Sequence, residues 1–138
     1  MPKLDTYLFF DGNCAEAMRF YERTLGGKLF MMTHAESPMA AQTPPGSADR
    51  IMHARLDLDD RMLMASDTMV GNPYQGMHGF SLSLVYPTVD EARKVFDALA
   101  DKGKVTMAMQ ETFWVEVFGM LTDRFGTAWM VNGGKSKM

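Results

Sequence analysis

Two short runs hold side chains of types and spacing that could do chemistry. In residues 51–58, IMHARLDL, alternate positions separate Met52, Ala54, Leu56 and Leu58 from His53, Arg55 and Asp57. Strand side chains alternate between faces, so a strand here predicts one apolar face and one carrying an imidazole, a guanidinium and a carboxylate. Imidazole titrates near neutrality and guanidinium grips oxyanions, which makes His53 the candidate acid or base and Arg55 the candidate stabiliser of negative charge. In the second run Trp114, Glu116 and Phe118 alternate with Val115 and Val117. The same residues also fit a purely structural reading, with His53 beside a carboxylate at a strand surface and Arg55 paired with Glu116.

The other reactive types are sparser. Cys14 is the single cysteine, which excludes an internal disulfide and fits a reducing compartment. A first helical turn can stabilise a thiolate, but Cys14 shares a helical stripe with Ala17, Met18 and Tyr21, and no neighbouring base is evident. Burial is the simpler expectation. His34 and His78 fit ordinary surface or turn positions. The fifteen methionines fit either a soft core or a pocket lined partly by thioethers.

Composition limits the partners. The 138 residues carry a formal charge of −3 and no basic cluster, which disfavours a nucleic-acid surface. At 46% hydrophobic residues the chain can bury a core, yet no run approaches the ~20 apolar residues of a membrane span. Neither a membrane partner nor a signal peptide is expected, and a cytoplasmic location follows.

These side chains need elements to hold them. Residues 4–10 read as a strand with Asp11-Gly12 as its turn, and Asn13 with Glu16 as the capping box of a helix that Gly26-Gly27 ends. A strand at about 28–35, a Pro-rich loop from Glu36 to Asp49, and strands 51–58 and 61–66 joined at Asp59-Asp60 follow. The order then repeats: a strand at 79–86, a helix opened by Thr88 and Glu91, and strands at about 104–110, 113–121 and 127–132. Thr88 lies 75 residues after Asn13 (88 − 13), and at that offset Glu16-Ala17 matches Glu91-Ala92 and Tyr21 matches Phe96. At an offset of 66 (130 − 64), Leu63-Met64-Ala65 matches Trp129-Met130-Val131. The expectation is an α+β domain spanning 1–138 and built by duplication. Two βαβββ modules, 4–66 and 79–133 around a linker at 67–78, form a curved, partly closed mixed sheet with helices outside.

This order, with the strings YLFFDGNCAEAMRFYERTLGGKL, IMHARLDLDDRMLMASD and FWVEVFGMLTDRFGTAWMVN, resembles the glyoxalase, bleomycin-resistance and dioxygenase superfamily. These are also called vicinal oxygen chelate proteins. Within it the chain is similar to the PhnB-like branch, some of whose members carry a demethylubiquinone methyltransferase-like label. The chain has no glycine-rich strand-to-helix nucleotide loop of the kind a doubly wound domain uses.

Metal-dependent members of that superfamily place His or Glu ligands on the first and last strands of each module. The resemblance carries these positions to Asp5, Met64, Phe80 (or, with a slip of one, Ser81) and Met130. Thioethers are soft ligands and a phenyl ring is no donor, so neither a catalytic zinc, nickel or iron centre nor any other cofactor is expected there. If Asp5 faces the cavity, so do Tyr7 and Phe9, with Met64 and Ser66 accompanying them. The expected ligand-binding set is Asp5, Tyr7, His53, Arg55, Met64, Trp114, Glu116 and Met130, suited to an amphipathic or aromatic small molecule. The alternative is a lyase, isomerase or dioxygenase-like enzyme using His53 and Arg55, or an atypical metal site recruiting Asp5, His53 and Glu116. A homodimer is the expected assembly, as the resemblance and the frequency of two-fold pairing both imply.

Overall fold

The computed structural model describes residues 1–138, and the chain divides into two compact units, Met1–Gly76 and Met77–Met138. The first contains β1 (Thr6–Phe10), α1 (Cys14–Leu25), β2 (Lys28–Thr33), β3 (Ile51–Leu58) and β4 (Arg61–Asp67). The second contains β5 (Leu82–Tyr86), α2 (Val89–Ala100), β6 (Lys104–Gln110), β7 (Val115–Thr122) and β8 (Ala128–Ser136). Each is therefore a βαβββ module, as the duplicated sequence predicts.

The strands form two separate four-stranded sheets, ordered β1-β4-β3-β2 and β5-β8-β7-β6, rather than one shared sheet, and neither closes into a barrel. In both, the first strand runs parallel to the last and the remaining pairs are antiparallel. The register verifies the repeat: Thr6 faces Leu63 on β4, and Leu82 faces Trp129 on β8.

Burial follows strand parity. Leu8 and Phe10 of β1, Ala54 and Leu56 of β3, and Leu63 and Ala65 of β4 are buried on the helix side. There they meet Cys14, Ala17, Met18 and Tyr21 of α1, all at 0% exposure. Val115, Val117 and Leu121 of β7 with Trp129 and Val131 of β8 do the same against Ala92, Phe96 and Leu99 of α2. The candidate site residues come from the opposite face of each sheet, where Phe9, Phe30 and Val85 are exposed and Phe118 is buried.

The helix starts differ from the expected pair of capping boxes. Thr88 accepts from the Glu91 amide at 3.2 Å and donates its hydroxyl to the Glu91 carboxylate at 3.0 Å. Asn13, by contrast, makes no side-chain cap bond. Asp67, at the end of β4, holds this helix start from another strand. Its Oδ1 accepts from the Gly12 and Cys14 amides at 2.8 and 3.0 Å, and its Oδ2 from the Ile51 amide at 2.9 Å. The residue at the matching place in the second unit is Gly133, where a Cβ would collide with Ala92 and crowd the Thr88 carbonyl. The second helix thus packs directly against backbone where the first is held by a carboxylate.

Strand ends also move. β7 starts at Val115 rather than 113, because the Thr112 hydroxyl bonds the Val115 amide and carbonyl and turns the chain before the strand begins. Residues 67–76, expected in a linker, belong to the first unit: β4 runs to Asp67, and Tyr74 donates to the Phe9 carbonyl at 3.0 Å. No helix is long and apolar enough to cross a membrane.

Truncating Asp67 leaves three amides without their acceptor, two of these bonds being buried. D67A is expected to lower the unfolding free energy by about 3 kcal/mol, measured by denaturant titration. G133A should destabilise by roughly 1–3 kcal/mol through overpacking against α2.

Candidate functional site

On the open face of the first sheet, β1, β4, β3 and β2 contribute side chains in one layer. Tyr7 lies beside Met64, Met64 beside Arg55, and Arg55 beside Phe30, each at paired positions of adjacent strands. His53 is two residues from Arg55 on the same face of β3. Its ring stacks on Tyr7 with centroids 5.7 Å apart, and the Tyr7 hydroxyl lies 3.2 Å from His53 Nδ1. The contact fits either the phenol donating to Nδ1, with the ring proton on Nε2, or Nδ1–H donating to the phenol oxygen.

Arg55 is only partly restrained. Its guanidinium sits 5.7 Å from the centroid of the Phe30 ring, a cation–π contact. Within the first unit the carboxylate it meets is Asp57: Nε and Asp57 Oδ1 are 3.1 Å apart, yet Nε lacks a well-aligned hydrogen bond. Both side chains of that pair are about two-fifths exposed, so it adds little stability and leaves donors of Arg55 uncommitted. Phe30 was not singled out in the sequence, because the long 34–50 segment between β2 and β3 hides which residues of the two strands meet.

Asp5 precedes β1, and its Oδ1 accepts from the Met62 amide at 3.0 Å. It anchors the start of the β1–β4 pairing instead of pointing a free carboxylate at the Tyr7 cluster.

In the second unit the corresponding face carries Trp114, Phe118, Met120 and Met130. Trp114 packs edge-on against Phe118 with centroids 5.2 Å apart, and Met130 pairs with Ser83 and Met120 on its two neighbouring strands. Glu116 instead serves the backbone. β8 holds one extra residue opposite Val115–Val117, and Glu116 Oε1 accepts from the Lys135 amide there at 2.6 Å. Gly134, at φ +85°, allows that bulge, since any side chain would strike Glu116.

The register also corrects one aligned metal position. Tyr7 faces Met64 and Ser83 faces Met130, so Asp5 corresponds to Ser81 rather than Phe80. The four positions then read Asp5, Met64, Ser81 and Met130, with Asp5 already engaged by an amide. Two thioethers and a serine do not fit a glyoxalase-type zinc, nickel or iron centre. Within either unit, no three His, Cys, Asp or Glu side chains gather to hold a metal ion.

A family model described as Glyoxalase/Bleomycin resistance protein/Dioxygenase superfamily matches residues 3–131. The chain belongs to that superfamily. Protein YjdN of Escherichia coli K12 is 40% identical to this superfamily member, with 96% of this chain and 95% of YjdN covered. The crystal structure of PA1353 from Pseudomonas aeruginosa superposes with a TM-score of 0.90 at 45% identity, covering 97% of this chain and 98% of that one. A PhnB protein from Bacillus cereus, described as a putative 3-demethylubiquinone-9 3-methyltransferase, gives 0.79 at 26% identity, with 96% and 100% covered.

Two expectations about reactive residues resolve here. His34 is buried within the turn after β2, not at the surface, with its carbonyl accepting from the Ser37 hydroxyl at 2.8 Å. Cys14 is fully buried, and burial first, then the Asp67 carboxylate, push its thiol far above the ordinary cysteine range. The native thiol thus stays protonated while the unfolded one ionises near pH ~8.5, so the stability it contributes below that pH declines as pH rises further. Native protein is expected to resist iodoacetamide at pH 8 and to be labelled on unfolding, as read by mass spectrometry. In denaturant titrations C14A should flatten the stability loss above pH ~8.5, whose slope for one such group reaches about 1.4 kcal/mol per pH unit.

Proposed function

We propose that this superfamily member binds an amphipathic or aromatic small molecule carrying an oxyanion, without needing a divalent metal. The observation that carries the reading is Arg55, whose guanidinium lies over Phe30 with donors to spare and shares a face with Tyr7, His53 and Met64. The rings and thioether offer apolar area, while the Arg55 guanidinium is a donor suited to an anionic group and His53 adds a polar ring beside it. Trp114 and Met130 offer similar ring and thioether surface on the second sheet. Glu116 and Asp5 are better understood as supports, because each already accepts a backbone amide.

An acid–base role for His53, with Arg55 stabilising developing charge, is the second reading. The Tyr7 contact favours it in one respect: a hydrogen bond to Nδ1 fixes the ring, as a proton-transferring imidazole requires. Turnover of a bound compound, lost in H53A but retained in binding, would establish this reading over simple binding.

We also infer a homodimer, because the open faces leave much apolar surface: Phe9 is 54% exposed, Phe30 46% and Val85 75%. Light scattering at micromolar concentration should give twice the 15.5 kDa chain mass, and a monomer would reject it.

The binding proposal is tested by screening a panel of aromatic acids and their neutral amides by calorimetry. R55A should weaken an anionic ligand by roughly tenfold or more, the worth of one charge-assisted contact, and affect the neutral analogue much less. Chelator treatment should leave affinity unchanged. Stoichiometric metal after native purification, with binding lost on chelation and regained on its return, would overturn the metal-free reading.

A further inference from the structure

A separate cleft of about 450 Å³ opens on the helix side of the first sheet, on the far side of the strands from Tyr7 and Arg55. It exists because edge strand β2 extends beyond the cover of α1. Leu29 and Met31 pair with the fully buried Leu56 and Ala54 of β3, yet are themselves only half-buried. Together with Ile51 they form an apolar floor of a size that accommodates a small ligand.

The rim carries three charges. Glu22 Oε2 accepts from the Leu29 amide at 3.1 Å, and Glu36 Oε1 from the Thr33 amide and hydroxyl at 3.0 and 2.9 Å. Each carboxylate has its second oxygen free, and the Thr33 bonds hold the Glu36 carboxyl below its ordinary range, so it stays ionised at neutral pH. Arg19, one helical turn before Glu22, is exposed and makes no hydrogen bond or ion pair. In the second unit Lys94 and Asp97 hold the matching helix positions, but Asp97 bonds no strand amide, so the arrangement is particular to the first unit and not a by-product of the fold.

A simple anion entering this cleft would face two fixed carboxylates, and a simple cation would face Arg19. A molecule carrying both charges next to an apolar group satisfies all three. We propose that the cleft binds a zwitterionic amino acid with an apolar side chain. Its carboxylate lies on Arg19, its ammonium on the free oxygens of Glu22 and Glu36, and its side chain on Leu29, Met31 and Ile51.

The test uses the full chain titrated with L-phenylalanine, followed by calorimetry and amide NMR. Phenethylamine and 3-phenylpropionate serve as probes lacking the carboxylate and the ammonium respectively. Saturable shifts centred on the Met31 and Thr33 amides are expected, with each single-charge analogue and each of R19A and E36Q weaker by roughly tenfold. E36Q keeps an oxygen for the Thr33 amide, and unchanged Thr33 amide shifts in the free variant verify that the turn is intact. Absence of saturation at millimolar phenylalanine, shifts located elsewhere, or equal binding by R19A would overturn the proposal.

Discussion

The first unit depends on a single buried carboxylate. Asp67 ends β4, and its two oxygens reach the start of α1 and the start of β3, so one side chain fixes where three elements meet. Its surroundings explain why the price is acceptable: a buried charge is costly alone, but here every bond it accepts comes from a backbone amide that would otherwise be unsatisfied. Through Ile51 the same carboxylate sets the beginning of the strand that carries His53 and Arg55. The geometry of the Tyr7–His53 pair therefore rests on a residue that touches neither.

The second unit reaches the same topology without that carboxylate. Gly133 lets α2 approach the sheet closely, and Thr88 with Glu91 satisfies the helix start locally. The open faces have diverged as well. One carries aromatic rings with a guanidinium and an imidazole, the other thioethers with Trp114 and Phe118. Methionine is adaptable surface at Met64, Met120 and Met130, and core filling at Met18. Duplication supplied the frame, and the two copies solved the same packing problems with different side chains.

Much of the frame was legible in the sequence because strand and helix periods are local signals. The alternation of IMHARLDL and the stripe from Cys14 to Tyr21 predict the observed buried faces, and the offset of 66 matches the observed register, while the offset of 75 becomes 76 between β1 and β5. What stayed hidden depends on distant residues meeting. Asp67 read only as the first residue of a linker, since its partners Gly12, Cys14 and Ile51 are brought to it by folding. Asn13 had the right type and spacing for a cap, yet the side-chain acceptor at this helix start is Asp67, which takes the Gly12 and Cys14 amides on either side of it. The shift from Phe80 to Ser81 likewise follows from strand pairing and not from spacing along the chain.

In both modules the first strand pairs only with the last. β1 lies against β4 and β5 against β8, each in parallel, so neither opening strand can find its ladder until the rest of its module has been made. During synthesis from the N-terminus, LFF of β1 leaves the ribosome well before Leu63-Met64-Ala65 and must wait without a neighbour. A ribosome stalled between those segments would display an apolar, unpaired strand, a natural substrate for a holding chaperone. The position of β4 and β8 between the opening strand and the rest also means that losing either would leave that opening strand with no partner at all.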